Sequence, residues 1–166
     1  MRHSIWILLV ATTAIAMAAE DLNSLNAYAG RWKGAGESKD TPYSKAGPSG
    51  AETNCNWSPN HGFLICDQMV RNGEGNDLSI YTYDEKEHSF AFYGISRGNP
   101  RARTTKLSIE GKRWTYSSEF ENNGKRVQIR TVNEFTSPDL VVYRTEYSED
   151  GEHWILMGEG ANRRVE

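Results

Sequence analysis

The sequence predicts an all-β fold, an up-and-down antiparallel barrel of about ten strands, and three observations predict it. From Ala51 onward, apolar and β-branched runs alternate with Gly, Asn, Asp and Pro turns at the spacing of roughly 8–12 residues typical of sandwiches and barrels. No segment after Ser38 keeps a helical apolar period. The links are short and none is long enough for a crossover, which favours a meander over a Greek key. Closing such a meander leaves no strand edge exposed.

The chain opens on a leader. Arg2 and His3 form a basic head, Ile5–Ala19 is an apolar run, and Ala16-Met17-Ala18 is a small-x-small cleavage pattern. Residues 1–19 are therefore read as a secretory signal peptide, with the mature chain starting at Ala19 or Glu20. The run is shorter than the roughly 20 apolar residues of a membrane span. Residues 20–166 form one barrel domain. An exported protein, periplasmic or extracellular and not membrane-spanning, is expected. The net charge of −3 and pI of about 5.8 argue against a nucleic-acid partner. The motif reading finds no GxxxxGKS/T, HExxH, CxxC or GxSxG run.

Asp21–Ala29 is too short for a stable free helix. One or two turns across a barrel end are expected, with Leu22 and Leu25 inward. The first strand follows, and Trp32, Gly34 and Gly36 share a face on which bare glycines allow close approach of another backbone. Residues 39–50 are dense in Pro, Gly and Ser and read as a loop. Strands are expected at 51–58, 63–71, 77–84, 88–97, 103–109, 112–122, 125–136, 139–148 and 152–161.

Four turns set the expected registers. A four-residue loop at Pro59–Gly62 places Trp57 opposite Leu64 and Cys55 opposite Cys66, and in an exported chain such a pair reads as a disulfide. Asn123-Gly124 is a strong two-residue hairpin turn. It pairs Phe120 with Val127, Ser118 with Ile129, Tyr116 with Thr131 and Trp114 with Asn133. Glu110-Gly111, read likewise, pairs Leu107 with Trp114 and Thr105 with Tyr116. Both turns give the middle strand one aromatic face and one wet face carrying Lys106, Ser117, Glu119, Arg130 and Glu134. Asp150-Gly151 pairs Tyr147 with Trp154 and Thr145 with Leu156. Tyr143, Thr145 and Tyr147 are read as inward; a tight turn at Pro138-Asp139 would reverse that and turn Arg144 and Glu146 inside.

These pieces resemble the calycins, the group of lipocalins and fatty-acid-binding proteins. The likeness lies in Gly30-Arg31-Trp32 after a short N-terminal turn and in Arg163-Arg164 at the far end. It implies that Arg164, with Arg163 as second choice, covers Trp32. The chain is also similar to a family of secreted bacterial lipocalin-like domains of unknown function. That likeness rests on Gly30-Arg31-Trp32, Cys55-Asn56-Trp57, Gly62-Phe63-Leu64-Ile65-Cys66 and Ser148-Glu149-Asp150-Gly151-Glu152-His153-Trp154. It implies no catalytic residues.

The function expected is non-catalytic binding of a small apolar or amphipathic ligand in the lumen, with Leu107, Trp114, Tyr116, Phe120, Ile129, Thr131 and Tyr143 as the lining. Inward Thr131, Asn133 and Ser118 favour a cavity, because small polar groups in a filled core need partners; a packed core acting as an interaction module is the alternative. A haem or metal barrel of the nitrobindin type is a second, but His61, His88 and His153 sit in or beside turns. No metal ligand set and no cofactor are expected. Catalysis would need Glu146 desolvated beside Arg144. Arg97, Arg101, Arg103 and Lys106 form a basic loop, read as solvated.

Overall fold

Asp21 caps a 3-10 helix, Leu22–Tyr28, by accepting the Asn23 amide at 2.8 Å. The structure, a computed structural model, describes residues 21–70 and 76–165; the leader expected over 1–19 lies outside them. The helix leads into β1 (Gly30–Ser38), and the strands that follow are β2 (Gly47–Ser49), β3 (Ala51–Trp57), β4 (Leu64–Val70), β5 (Asn76–Asp84), β6 (Ser89–Ser96), β7 (Asn99–Glu110), β8 (Arg113–Asn122), β9 (Lys125–Ser137), β10 (Leu140–Ser148) and β11 (Ile155–Val165). β1 pairs antiparallel with β3, consecutive strands pair antiparallel from β3 to β11, and β11 returns to pair with β1 from Arg31↔Val165 to Ser38↔Gly158. The result is a closed ten-stranded barrel. The extra strand, β2, lies within the region read as a loop and extends the β3 side of β1.

Closure requires the glycines of β1. Gly36 faces Gly160, and a Cβ on Gly36 would lie 2.4 Å from the Glu159 carbonyl and 2.5 Å from the Tyr143 hydroxyl. The bare strip thus lets β1 and β11 meet while the Tyr143 ring lies across them from inside.

The registers at 59–62 and 123–124 are as read: Trp57 faces Leu64, Cys55 faces Cys66, and Phe120, Ser118, Tyr116 and Trp114 face Val127, Ile129, Thr131 and Asn133. Asn123 and Gly124 both have positive φ, as a two-residue hairpin turn of this kind needs. Two other registers differ. The β7–β8 turn is Gly111-Lys112, so Leu107 faces Tyr116, and Ile109 faces Trp114. The turn has moved by one residue and the register by two, which preserves every inward and outward assignment. The final hairpin instead has a long loop in which Asp150 accepts the amides of Glu152 and His153, each at 2.8 Å. Tyr147 therefore faces Ile155, and Trp154 lies outside, 4.0 Å from the Arg130 guanidinium.

Strand β10 resolves by a bulge. The tight Pro138-Asp139 turn does form, pairing Leu140 with Ser137. Thr136 is then the extra residue, because Val141 pairs with Phe135. That single insertion cancels the reversal, and Tyr143 and Thr145 line the interior with Tyr147 buried beside them. A second bulge between Thr145 and Glu146 leaves Met157 extra on β11, buried with Tyr147 and Val127.

Two apolar clusters cap the barrel. At one end Leu25, Trp32, Leu64, Leu107, Trp114, Phe135 and the disulfide Cys55–Cys66 pack under the helix. Trp32 donates its indole N–H to the Tyr28 carbonyl at 2.9 Å. Across from it on β11, the Arg164 guanidinium lies 4.2 Å from the Trp32 ring and donates to the carbonyls of Ala29, Ala27 and Pro138. At the other end Val127, Ile129, Tyr147 and Met157 pack beneath Tyr43 of the 39–46 segment.

Candidate functional site: the barrel cavity

Between the two clusters lies a cavity of about 870 Å³. Its aromatic side comes from β5, β6 and β8. Tyr81, Phe92 and Tyr116 form a triangle of rings with centroids 4.9, 5.3 and 6.3 Å apart. Alternation along each strand brings them inside: Ser79 and Tyr81 on β5, Phe92 and Gly94 on β6, Tyr116 and Ser118 on β8 all line the cavity. The opposite side is polar. Thr131, Asn133, Tyr143, Thr145 and Asn162 line it from β9, β10 and β11. Thr131 and Thr145 share a hydrogen bond of 2.9 Å, and Tyr143 shares one of 3.4 Å with Ser49. The mouth carries Asp77, Ser96, Arg103, Glu119 and Phe120, and Arg103 donates to Ser96 Oγ at 2.8 Å.

Charge is confined to that mouth. Deeper in, Tyr28, Tyr81 and Tyr116 present buried phenols. Burial pushes Tyr28 up to about 12, with the nearby Tyr143 adding to the shift. Tyr81 and Tyr116 are raised well above the ordinary value, mainly by the same loss of water. Tyr116 donates to the Tyr81 hydroxyl at 3.4 Å.

Of the seven residues read as lumen lining, Tyr116, Phe120, Ile129, Thr131 and Tyr143 line the cavity. Leu107 and Trp114 do not. They point inward but lie lower, packed in the closed-end cluster with Tyr28 and Phe135. Phe120 stands at the rim, edge-on to Tyr43 at 5.6 Å. The reading missed Tyr28, Tyr81 and Phe92. For the last two, the alternation Asp77, Ser79, Tyr81, Tyr83 and its partner Phe90, Phe92 was the available signal.

The other candidate groups lie elsewhere. Glu146 is buried on the outer wall, held by Arg130 Nε at 2.6 Å and Arg144 at 2.8 Å, with Arg130 itself stacked on Trp154. It faces no cavity. His61, His88 and His153 are exposed, in turns or in the loop before β11, and none lines the cavity. Among the described residues no group of three or more His, Cys, Asp or Glu gathers as a metal site. Contrary to the motif reading, the chain does contain a G-x-S-x-G run, Gly94-Ile95-Ser96-Arg97-Gly98. It ends β6 and enters a hairpin, where Ser96 pairs with Asn99. That is not the strand-to-helix elbow of a hydrolase, and the partner of Ser96 Oγ is an arginine. Among the described residues no helix is long and apolar enough to cross a membrane.

No protein-family profile and no curated protein matches the sequence. The fold is shared with a solved structure, Rv2717c from M. tuberculosis, at 12% identity and a TM-score of 0.60 over 87% of this chain and 97% of that one. At that identity the likeness shows the barrel fold alone. A protein of unknown function of the DUF3598 family from Nostoc punctiforme PCC 73102 aligns over 88% of this chain and 99% of its own, at 8% identity and a TM-score of only 0.25.

Proposed function

We propose that this protein is an exported, non-catalytic barrel that binds a small apolar or amphipathic molecule in its cavity. The observation that carries the reading is the cavity of about 870 Å³, walled on one side by Tyr81, Phe92 and Tyr116. Pockets for small molecules occupy roughly 300–1,000 Å³ and combine aromatic walls with a few placed polar groups. Export is supported by the apolar leader and by a buried disulfide, which persists in oxidising compartments. Among the described residues no histidine lines the cavity, which weighs against haem ligation through their imidazoles.

The test is titration of the mature protein with N-phenyl-1-naphthylamine, a neutral probe that brightens in apolar surroundings. Saturable binding is expected at micromolar affinity, about −8 kcal/mol. Thr131→Trp fills the cavity and should abolish it; Ser117→Asp, on the exposed outer face, should not. Circular dichroism must show both variants folded. Absent binding, or equal binding by folded Thr131→Trp, would reject the cavity as a ligand site.

A further inference from the structure

Among the described residues, two deeply buried polar side chains of the cavity lining, Asn133 and Tyr28, have no side-chain hydrogen-bond partner. Asn133 is 7% exposed, lines the cavity, and its amide makes no hydrogen bond among the described residues. Tyr28 is 6% exposed, also lines the cavity, and its hydroxyl likewise makes none. Neither is free to turn away. Asn133 is seated on β9 between Trp114 and Tyr143 in the sheet. The Tyr28 ring is held by Trp32, Trp114 and Phe135 at centroid distances of 5.4, 5.8 and 6.2 Å. Buried polar groups in native proteins nearly always have partners, so whatever occupies this space supplies them. An Asn amide offers a donor and an acceptor side by side, and a phenol offers one of each.

Resting on the ligand-binding reading above, we propose that the ligand is a neutral aromatic molecule whose buried edge carries an adjacent donor and acceptor, an amide-like group. That edge pairs with the Asn133 amide and the Tyr28 hydroxyl. Its ring lies against Tyr81, Phe92 and Tyr116.

Two competing classes fit less well. A hydrocarbon would seal both polar groups from water with nothing in return. A carboxylate buried head-first would meet phenols and amides but no cation, since Arg103 stands at the mouth. The loss of water that raises all three deep phenols would penalise a buried anion in the same way.

Three probes of similar shape separate the classes: 2-naphthamide, 2-naphthoate and 2-ethylnaphthalene, titrated calorimetrically into the mature protein. The amide should bind at least tenfold more tightly than either of the others. Asn133→Leu, with the same branching of heavy atoms but no polar group, should remove that advantage by weakening the amide at least tenfold while leaving 2-ethylnaphthalene as tight or tighter. Tyr28→Phe deletes only the hydroxyl and should weaken the amide several-fold. The proposal is overturned if 2-ethylnaphthalene matches the amide on wild type, or if folded Asn133→Leu keeps the preference. It is also overturned if 2-naphthoate binds tightest and loses that binding in Arg103→Ala, which would place an acidic head at the mouth. Saturable N-phenyl-1-naphthylamine binding beside any of these results would leave the cavity reading standing; loss of all four would reject both.

Discussion

Arg164→Ala should open the closed end of the barrel. The guanidinium sits over the Trp32 ring at 4.2 Å, an interaction worth about 0.5–2 kcal/mol. It also donates to the carbonyls of Ala27, Ala29 and Pro138. The bond to Ala29 is partly buried, and a charged donor lost there costs about 1.5–3 kcal/mol. The bonds to Ala27 and Pro138 are exposed, so water replaces them. The ion pair with Asp139, whose side chain is 73% exposed, adds little. The sum is about 2–5 kcal/mol, or roughly 5–20 °C in the melting midpoint of a domain this size. Arg164→Lys keeps the charge but cannot fork to three carbonyls, so it should recover only part of the loss. Arg163→Ala is the control, because Arg163 is exposed on the same strand. Urea unfolding followed by circular dichroism gives the comparison. A loss below about 1 kcal/mol for Arg164→Ala, or equal losses for both alanine variants, would show that the arginine does not hold the end closed.

The buried Cys55–Cys66 bond closes a short loop, with a sequence separation of 11, and the double Cys→Ser variant should lose about 2–3 kcal/mol. Alkylation of the native exported protein without reductant should label neither thiol. Stability should also fall in alkali: unfolded phenols titrate near 10, whereas burial holds Tyr28 up to about 12 and Tyr81 and Tyr116 well above the ordinary value. These raised values leave stability intact below pH ~10 and erode it as the pH rises further; Tyr28 alone removes about 2 kcal/mol by pH ~12. Urea midpoints between pH 8 and 11, read with tyrosinate absorbance, check this, and native titration of all tyrosines near pH 10 without destabilisation would contradict it.

Turn chemistry and period-2 alternation made much of the barrel legible in the sequence. Asn123 and Gly124 can adopt the positive φ that a two-residue turn demands, so that turn alone aligned β8 with β9 from Phe120 to Trp114. The four-residue Pro59–Gly62 loop did the same for Cys55 and Cys66. Even the misplaced turn near Gly111 left inside and outside unchanged, since moving a turn by one residue moves the register by two. Parity is therefore a local property, set by the turn and carried along the strand until a bulge interrupts it. The bulges at Thr136 and Met157 have no comparable signature, and each reverses the face of everything beyond it. Depth was not local either. Leu107 and Trp114 share a face with Tyr116, yet they sit in the plug while Tyr116 reaches the cavity. Alternation determines which wall a side chain points from. How far along the axis it lies depends on strand stagger and tilt, which only the closed sheet fixes. The same holds for Tyr28, whose ring enters the barrel because the helix folds over the Trp32 end, and for the unpartnered Asn133, whose burial requires all of β8 to β10 around it.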